Sequence, residues 1–380
     1  DKSYYSPASG RGDKSYYSLA SGRGDKSCYS PASGVEIENR WENICKRILQ
    51  LDIKPFLRLP DKTLWQGRID SGAMERFYQR ILMKSYADFV SMPVALQPTI
   101  TILGFACDEG VKRNQGRVGA KEGSNALRQA LANYPLHGQA ENLDLLDIGN
   151  IICLQDDLEV SQQALAEMVR QIIDKGCFPL ILGGGHETAW GHYLGLHHKY
   201  QKSNFAIVNF DAHFDMRTLV NNQGSSGTSF LQIAEYRQQN GVAFDYYCIG
   251  IKASSNTSSL FEMAKKWDVK HLTCDEIYAS SEAISLLIQQ IISQHDTIYL
   301  TLCMDVFASS VCPGVSAASP YGMMPWQVLP AIRTLAASGK VVAMDIVELA
   351  PVFDKDSQSV KLGGLCLAEF LYHWKKVANS

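Results

Sequence analysis

The 380-residue sequence lacks three features that would place it in a specialised class. No apolar run approaches the roughly 18 residues of a transmembrane helix, and the N-terminal residues are polar rather than signal-like. The formal charge is only -3, so no excess of positive charge favours nucleic acid or anionic membranes. The ten cysteines follow no repeated spacing, which argues against a disulfide framework and for a reducing compartment. We therefore expect a cytoplasmic protein with neither nucleic acid nor membrane partners.

The N-terminal region differs in composition from the rest of the chain. Asp1–Gly12 returns as Asp13–Gly24, and a shortened copy covers Asp25–Gly34. Ser, Gly and Pro dominate these repeats, so burial cannot offset the entropy of ordering them, and we predict a disordered tail over 1–34. Its Arg-Gly-Asp triplets resemble an adhesion motif, but nothing in the sequence indicates secretion. Residues 35–98 are predicted to form an N-terminal extension that packs on the core, which leaves 99–380 as the main domain.

From Thr99 onwards, short apolar runs alternate with helical patterns, which is typical of an α/β domain with a mostly parallel sheet. With 46% hydrophobic residues, the chain can bury a large core. The predicted strands are Thr99–Phe105, Leu143–Ile148, Phe178–Leu182, Phe205–Phe210, Tyr246–Gly250, Val269–Thr273, Thr297–Met304 and Val341–Val347. The predicted helices are Trp41–Leu51, Ala73–Val90, Ser124–Asn133, Glu159–Asp174, Ser281–Ser293, Trp326–Ala337 and Val360–Lys375.

One motif in the middle of the chain contains three potential metal ligands. Asp211, His213 and Asp215 follow the apolar run Phe205–Phe210 at alternate positions. In an extended chain, side chains at i, i+2 and i+4 share one face, so the three should converge. Two carboxylates and an imidazole suit a hard or borderline divalent metal. In isolation, the same motif is equally compatible with solvated loop charges and a structural histidine.

Similar groups follow three other predicted strands, and ligands of α/β sheets bind beyond the carboxyl ends of the strands. His186 lies in a Gly-Gly-Gly-His-Glu turn that carries neither G-x-G-x-x-G nor G-K-[ST], so a phosphate-binding loop is disfavoured. Cys303 and Asp305 lie two residues apart at the end of another strand, and Glu348 follows the last one. Four such groups at successive strand ends predict a two-metal hydrolytic centre.

The order of these motifs resembles that of the ureohydrolases, the arginase and agmatinase superfamily. The resemblance rests on G-G-G-H-E, N-F-D-A-H-F-D, the strand that ends near Asp305 with a following Pro-Gly, and D-I-V-E. Finer motifs are similar to those of one branch, the formimidoylglutamases. They are Trp65–Asp70, Gly104–Ala120, Arg217, Ser225–Thr228, Ser255–Thr257 and Pro313–Ala317. Together they cover the chain from about Trp65 to the C-terminus.

The resemblance implies an arginase-like three-layer α/β/α fold around an eight-stranded, mostly parallel sheet, with two Mn²⁺ ions per chain at the strand ends. The implied metal ligands are His186, Asp211, His213, Asp215, Cys303 and Asp305. The implied reaction is hydrolysis of the small molecule N-formimidoyl-L-glutamate to L-glutamate and formamide in histidine degradation, with catalytic roles for Asp215, Glu348 and His213. The implied substrate contacts are Arg217, Asn114, Arg113, Ser226, Gly227, Thr228 and Glu348. A homo-oligomer is also compatible with the superfamily.

Two features depart from the superfamily pattern. Arginases carry a histidine shortly after the Ser-Gly of the loop that follows the metal strand, whereas Ser229 and Phe230 follow that loop here. This difference disfavours arginase itself. The family usually has Asp-x-Asp where this chain has Cys303-Met304-Asp305, so a thiol stands in the position of a bridging carboxylate. Thiolate is a softer ligand than manganese prefers, which leaves the metal occupancy open.

Two alternatives to a formimidoylglutamase therefore remain. One is a hydrolase of another linear amidine or guanidine, of the agmatinase or guanidinobutyrase kind, and the other is a metal-poor pseudoenzyme. Substrate charge separates the enzymes, because formimidoylglutamate is a dicarboxylate whereas agmatine is a cation. The dicarboxylate is favoured by the basic residues Arg68, Lys112, Arg113, Arg117 and Arg217.

Overall fold

The structure, a computed structural model, describes residues 48, 50–69 and 72–377. The tail predicted over 1–34 lies outside the described residues, and the helix predicted over Trp41–Leu51 lies largely outside them. Within the described part, strands and helices alternate from Thr99 to the C-terminal helix. None of the described helices is long and apolar enough to cross a membrane.

The described residues form ten strands. They are β1 (Leu57–Arg58), β2 (Ile81–Met83), β3 (Thr99–Ala106), β4 (Asp144–Ile152), β5 (Phe178–Leu182), β6 (Phe205–Phe210), β7 (Asp245–Ile251), β8 (Lys270–Thr273), β9 (Thr297–Cys303) and β10 (Val341–Val347). The α-helices are α1 (Phe77–Arg80), α2 (Tyr86–Ser91), α3 (Glu109–Arg113), α4 (Gly123–Ala132), α5 (Leu158–Asp174), α6 (Thr188–Tyr200), α7 (Ser229–Gln239), α8 (Ser258–Lys266), α9 (Cys274–Ala279), α10 (Ala283–Gln294), α11 (Pro325–Ala337) and α12 (Gln358–His373).

All strands belong to one sheet with the order β1-β4-β3-β5-β10-β9-β6-β7-β8, and β2 also pairs with β4. The eight predicted strands are β3 to β10, and every pairing between them is parallel. The predicted total of eight strands is wrong by two, because β1 and β2 add to the free edge of β4. β1 is antiparallel to β4 and β2 is parallel to it.

The helix predicted over Ala73–Val90 is also wrong. Its central residues, Ile81–Met83, are extended and pair with β4, so the segment is divided into α1, β2 and α2. The backbone N–H of Lys84 continues this pairing and donates to the carbonyl of Asp147 at 2.9 Å. The open edge of β4 offers hydrogen-bonding partners that a helical sequence pattern does not reveal, and pairing there outweighs the local preference.

Side chains of the strands alternate between two apolar layers, one on each face of the sheet. In β5, Leu180 and Leu182 enter one layer and Ile181 enters the other. Helices α4, α10, α11 and α12 cover the first face, and α5, α6, α7 and α8 cover the second. Burial on both faces explains why the strands are almost continuously hydrophobic. The fold is therefore the predicted three-layer α/β/α arrangement.

A buried polar cluster ties the segment before Thr99 to this core. The indole N–H of Trp65 donates to Asp147 Oδ2 at 2.7 Å, and Arg128 makes a two-pronged ion pair with the same carboxylate, with both contacts at 2.9 Å. All three side chains are buried. A buried carboxylate needs such partners, because leaving it unpaired in an apolar environment is costly. Trp65 thus anchors the early segment beneath the sheet edge.

Candidate metal centre

The candidate ligands meet because their strands are neighbours. β5, β10, β9 and β6 are consecutive in the middle of the sheet, and parallel strands end at the same edge. Asp211 follows β6 directly, Cys303 is the last residue of β9, and Glu348 follows β10 directly. His186 lies in the turn between β5 and α6. The four predicted groups therefore occupy one continuous site, as ligands of open α/β sheets do.

A turn after β6 brings Asp211, His213 and Asp215 together. The extended conformation predicted for these residues is therefore wrong, although their convergence is observed. β6 ends at Phe210, and the residues after it leave the sheet. Asp211 Oδ1 accepts a hydrogen bond from the backbone N–H of His213 at 2.8 Å. Asp215 has a φ of 48°, in the left-handed region that non-glycine residues rarely adopt. Glu348 has a φ of 65°. Two strained carboxylate residues in one cleft are typical of a functional site.

The glycine turn before His186 is closed by hydrogen bonds to Glu348, the residue that follows β10. The backbone N–H of Glu348 donates to the carbonyl of Gly184 at 2.8 Å, and that of His186 donates to Glu348 Oε1 at 2.8 Å. A Cβ at Gly184 would lie 1.6 Å from the carbonyl oxygen of Cys107, so no other residue fits there without movement of the backbone. The turn thereby fixes His186 and the Glu348 carboxylate relative to each other.

The polar atoms of the site lie within direct contact distance. His186 Nδ1 is 2.9 Å from Asp211 Oδ2 and 3.0 Å from Asp215 Oδ2. His213 Nδ1 is 3.1 Å from Asp305 Oδ2 and 3.5 Å from Asp211 Oδ1. The sulfur of Cys303 is 2.9 Å from Asp305 Oδ1. Asp211 is fully buried and lies between the two imidazoles.

These atoms form two groups that could each hold a metal ion and that share Asp211. One contains His186, Asp211 and Cys303, the other contains Asp211, His213 and Asp305, and the ligand atoms within each group lie within 4.8 Å of one another. The buried Nδ1 atom of His186 faces two carboxylates at 2.9 and 3.0 Å without hydrogen-bond geometry. A buried nitrogen that faces carboxylates in this way suits metal ligation. The donor set of carboxylates, imidazoles and a thiol therefore fits two adjacent divalent cations.

The pKa shifts in this cluster reflect burial and the opposed charges. Burial disfavours the charged imidazolium of His186, but Asp211 and Asp215 outweigh it and raise its pKa well above the usual value. Burial also opposes ionisation of Asp211, yet His186 and His213 hold its pKa below the usual range. Burial, together with nearby carboxylates, raises the pKa of the Cys303 thiol and of the Glu348 carboxyl. The cluster thus attracts positive charge strongly, which is the electrostatic requirement for binding a cation.

A cavity of about 200 Å³ opens onto the second group, through His213 and Asp305, and onto Asp215. Its walls include His213, Asp215, Asp305 and Glu348 from the cluster, with Arg217 as the cationic residue among the described lining side chains. The guanidinium of Arg217 is exposed and makes no hydrogen bond or ion pair within the described residues. Neutral polar groups complete the lining, namely Asn114, Ser226, Ser255 and Ser316. The lining therefore combines carboxylates of the cluster with the Arg217 guanidinium, which could pair with an anionic group of a ligand.

Three residues predicted to contact substrate do not line this cavity. Arg113 is held by Glu109 and by Glu159, the latter at 2.7 Å, and faces a neighbouring depression. The hydroxyl of Thr228 is bonded to the Ser225 carbonyl and to Gln232. Gly227 contributes its carbonyl, which accepts from the backbone N–H of Arg217 at 2.8 Å. These positions support the loops around the cavity instead of reaching into it.

The other basic residues that favoured a dicarboxylate are also placed elsewhere. Lys112 pairs with Glu109 and Asp156 on the surface. Arg117 donates to the carbonyls of Val315 and Ser316, at 2.7 and 2.9 Å, and so joins two loops at the cavity mouth. Neither side chain lines the cavity, and nor does that of Arg68. Of the five basic residues that favoured a dicarboxylate substrate, Arg217 is therefore the one that lines the cavity.

Two buried residues at the site were not identified from the sequence. Thr301 Oγ1 lies 3.0 Å from His186 Nε2, which leaves Nδ1 of that ring facing the carboxylates. The alternation Thr301, Cys303, Asp305 at the end of β9 was the available signal. Glu187 accepts a hydrogen bond from the backbone N–H of Gly110 at 3.0 Å, and burial raises its pKa to about 8. Glu187 thereby connects the glycine turn to α3, and no spacing rule in the sequence predicts that contact.

The fold, with two groups of metal-ligand side chains at its strand ends, is that of a metal-dependent hydrolase. Residues 98–372 match the Arginase family, and this chain belongs to that family.

Relatives within the family confirm the finer resemblance seen in the motifs. The formimidoylglutamase of Legionella pneumophila strain Lens is 42% identical over 316 residues, which cover 83% of this chain and 97% of the relative. That of Geobacillus thermodenitrificans is 36% identical over 320 residues, which cover 84% of this chain and 98% of the relative. Among solved structures, the Bacillus subtilis formimidoylglutamase has a TM-score of 0.70 at 21% identity and covers 85% of this chain and 98% of its own. A Trypanosoma cruzi formiminoglutamase with Mn²⁺ has a TM-score of 0.67 at 23% identity, with 75% and 97% coverage.

Proposed function

We propose that this protein hydrolyses N-formimidoyl-L-glutamate to L-glutamate and formamide, a step of histidine degradation. The observation that carries the proposal is the cavity in which Arg217 and Glu348 line the same space as His213 and Asp305 of the second metal-binding group. The relatives that share about four-fifths of this chain are formimidoylglutamases, which supports the same activity here. The unpaired cysteines of the described residues agree with a reducing, cytoplasmic compartment.

The metal ligands in this proposal are His186, Asp211, His213, Asp215, Cys303 and Asp305. Manganese is the first candidate, because the Trypanosoma cruzi neighbour holds it. A pair of divalent cations bound there would lower the pKa of a water molecule and offset the negative charge that develops on the attacked amidine. Asp211 would contribute to both positions, since it belongs to both groups.

The residues around the cavity then bind the substrate, transfer the proton and stabilise the developing charge. The guanidinium of Arg217 binds a substrate carboxylate, for which its planar fork is well matched. The Glu348 carboxylate accepts hydrogen bonds from the N–H groups of the formimino end, which places the electrophilic carbon beside the cluster. Asp215 receives the proton of the attacking water and delivers it to the glutamate nitrogen as the C–N bond breaks. His213 stabilises the developing charge from the side of Asp305.

Arg217 also decides between this substrate and the alternative amidines. Formimidoylglutamate can place a carboxylate against Arg217, the cationic side chain of the described lining, whereas agmatine has no carboxylate to pair with it. A charged hydrogen-bond pair is worth about 2–3 kcal/mol, which corresponds to about 100-fold in affinity. The dicarboxylate is therefore the better match.

The test is a comparison of substrates on the full chain loaded with Mn²⁺. We expect kcat/KM for formimidoylglutamate to exceed that for agmatine and for guanidinobutyrate by about 100-fold or more. A preference for either guanidine would replace the proposal by the corresponding hydrolase. A chain that binds metal but turns over none of the three compounds would identify a pseudoenzyme.

A further inference from the structure

Cys303 gives one half of the metal centre a different chemical character from the other. Its side chain is 1% exposed, and its sulfur lies within 4.8 Å of ligand atoms of His186 and Asp211. Among the cysteines of the described residues, Cys303 is the one that belongs to such a group. The first group therefore offers nitrogen, oxygen and sulfur. The sulfur also contacts Asp305 Oδ1 at 2.9 Å, but the members of the second group, Asp211, His213 and Asp305, offer nitrogen and oxygen.

A second observation shows that the first group is directed at a ligand. His186 is 1% exposed, and its Nδ1 points at the carboxylates of Asp211 and Asp215, 2.9 and 3.0 Å away, without hydrogen-bond geometry. The opposite nitrogen of the ring faces Thr301, so the orientation of the imidazole is fixed. A buried ring nitrogen held in this way, beside a carboxylate and a thiol, has the surroundings of a metal ligand.

The sulfur is also held rigidly in place. Cys303 ends β9, which lies between β10 and β6 in the centre of the sheet, and it is in register with Val347 of β10. The side chain is buried, and its sulfur contacts Asp305 Oδ1 at 2.9 Å. A metal in the first group therefore meets the thiol as well as the imidazole.

Ligand softness decides which metal such a group prefers. Thiolate favours Zn²⁺, Co²⁺ and Fe²⁺, whereas Mn²⁺ favours carboxylate and other oxygen ligands. We propose that Cys303 is a metal ligand that makes the first position select a borderline cation of the Zn²⁺, Co²⁺ and Fe²⁺ class, while the second position takes Mn²⁺. This inference rests on the proposed metal pair and adds that its two positions differ in metal preference.

Cobalt tests the ligand directly, because a Co²⁺–thiolate bond gives a near-ultraviolet charge-transfer band that oxygen and nitrogen ligands do not give. The metal-free full chain is titrated with Co²⁺ alone, and we expect the band to grow with the first ion bound. Cys303→Ser and Cys303→Asp should lose the band while they keep their circular dichroism. Cys248→Ser is the matched control, since Cys248 is a buried thiol of the same region whose sulfur contacts the backbone carbonyl of His213. It should retain the band.

A competition experiment tests the selectivity. The native chain and Cys303→Asp are each equilibrated with excess Mn²⁺ and increasing Zn²⁺, because Zn²⁺ outcompetes Mn²⁺ at most sites when the concentrations are equal, and bound metal is measured by elemental analysis. The native chain should exchange its first Mn²⁺ for Zn²⁺ at a lower Zn²⁺ concentration than Cys303→Asp does. A native chain that shows no charge-transfer band, or an exchange concentration that Cys303→Asp leaves unchanged, overturns the inference. If that same chain binds two Mn²⁺ and hydrolyses formimidoylglutamate, the proposed function stands without it.

Discussion

Replacement of Arg217 by alanine removes the cationic group from the described lining of the cavity. The backbone of Arg217 is held by its N–H bond to Gly227, and a Cβ on that glycine would lie 2.9 Å from Arg217 Cδ. The stem of the arginine therefore has a defined path, and the guanidinium at its end has no ion-pair partner among the described residues. A substrate carboxylate would meet a positive charge that is not already neutralised.

The size of the effect follows from this arrangement. A hydrogen bond to a charged group contributes about 1.5–3 kcal/mol, and a guanidinium can offer two in parallel to one carboxylate. Exposure of the side chain screens the interaction and keeps the sum well below that of a buried pair. We therefore expect a loss of about 2–3 kcal/mol, which raises KM about 30- to 150-fold.

The assay is steady-state hydrolysis of formimidoylglutamate at saturating metal, with kcat and KM determined separately. Arg217→Ala should raise KM with little change in metal content, and Arg217→Lys should be intermediate because it keeps the charge without the planar fork. Lys112→Ala is the control, since it removes a nearby surface cation that pairs with Glu109 and Asp156. An unchanged KM in Arg217→Ala would refute the role assigned to this residue.

Three further predictions concern the cluster, the pH dependence of stability and the early segment. In Glu348→Gln, the amide oxygen can still accept a hydrogen bond from the backbone N–H of His186, but the negative charge is lost. The loss of a charged hydrogen bond, about 2–3 kcal/mol, should lower kcat/KM about 30- to 100-fold. A wild-type kcat/KM would show that Glu348 has only a packing role. Burial, with the charges of Arg237 and His198, lowers the pKa of His197 to about 4. The neutral imidazole therefore stabilises the fold fully above pH 6.5 and progressively less as the pH falls towards 4. Urea unfolding measures the free energy of unfolding at about pH 7.5 and at about pH 5. Between these pH values, the free energy of unfolding should decrease by about 2 kcal/mol more in the native protein than in His197→Phe. Equal decreases in the two proteins would contradict this prediction. Trp65→Phe removes the buried donor to Asp147 and should lower the free energy of unfolding by about 1.5–3 kcal/mol, whereas no loss would show that this contact anchors nothing.

The arrangement of the sheet was predictable because its strands are buried on both faces. Each of the eight apolar runs became a parallel strand, and the polar residues that follow β5, β6, β9 and β10 met at one edge. Strand order is a long-range property, yet the site needed only the rule that ligands gather at the carboxyl ends of strands. That rule brought His186, Asp211 and Asp305 to the same place from sequence alone.

The remaining features depend on contacts that local sequence does not encode. The turn that brings Asp215 to His186 requires a positive φ at Asp215. An aspartate in the sequence does not indicate that its φ will be positive. Arg113 belonged to a motif that resembles the family, but ion pairs with Glu109 and Glu159 hold its charge outside the cavity. The strand β2 formed because β4 offered a free edge, and a helical pattern did not reveal it.

In the proposed reaction, water attacks the formimino carbon and the bond to the glutamate nitrogen breaks. The most direct measurement is product analysis of formimidoylglutamate incubated with the metal-loaded full chain, with formamide, glutamate and ammonia all quantified. We expect equal amounts of formamide and glutamate and no ammonia. We also expect both products to be lost in Asp211→Asn, which alters the ligand shared by both groups. Release of ammonia with formylglutamate, or full activity in Asp211→Asn, would contradict the proposed reaction.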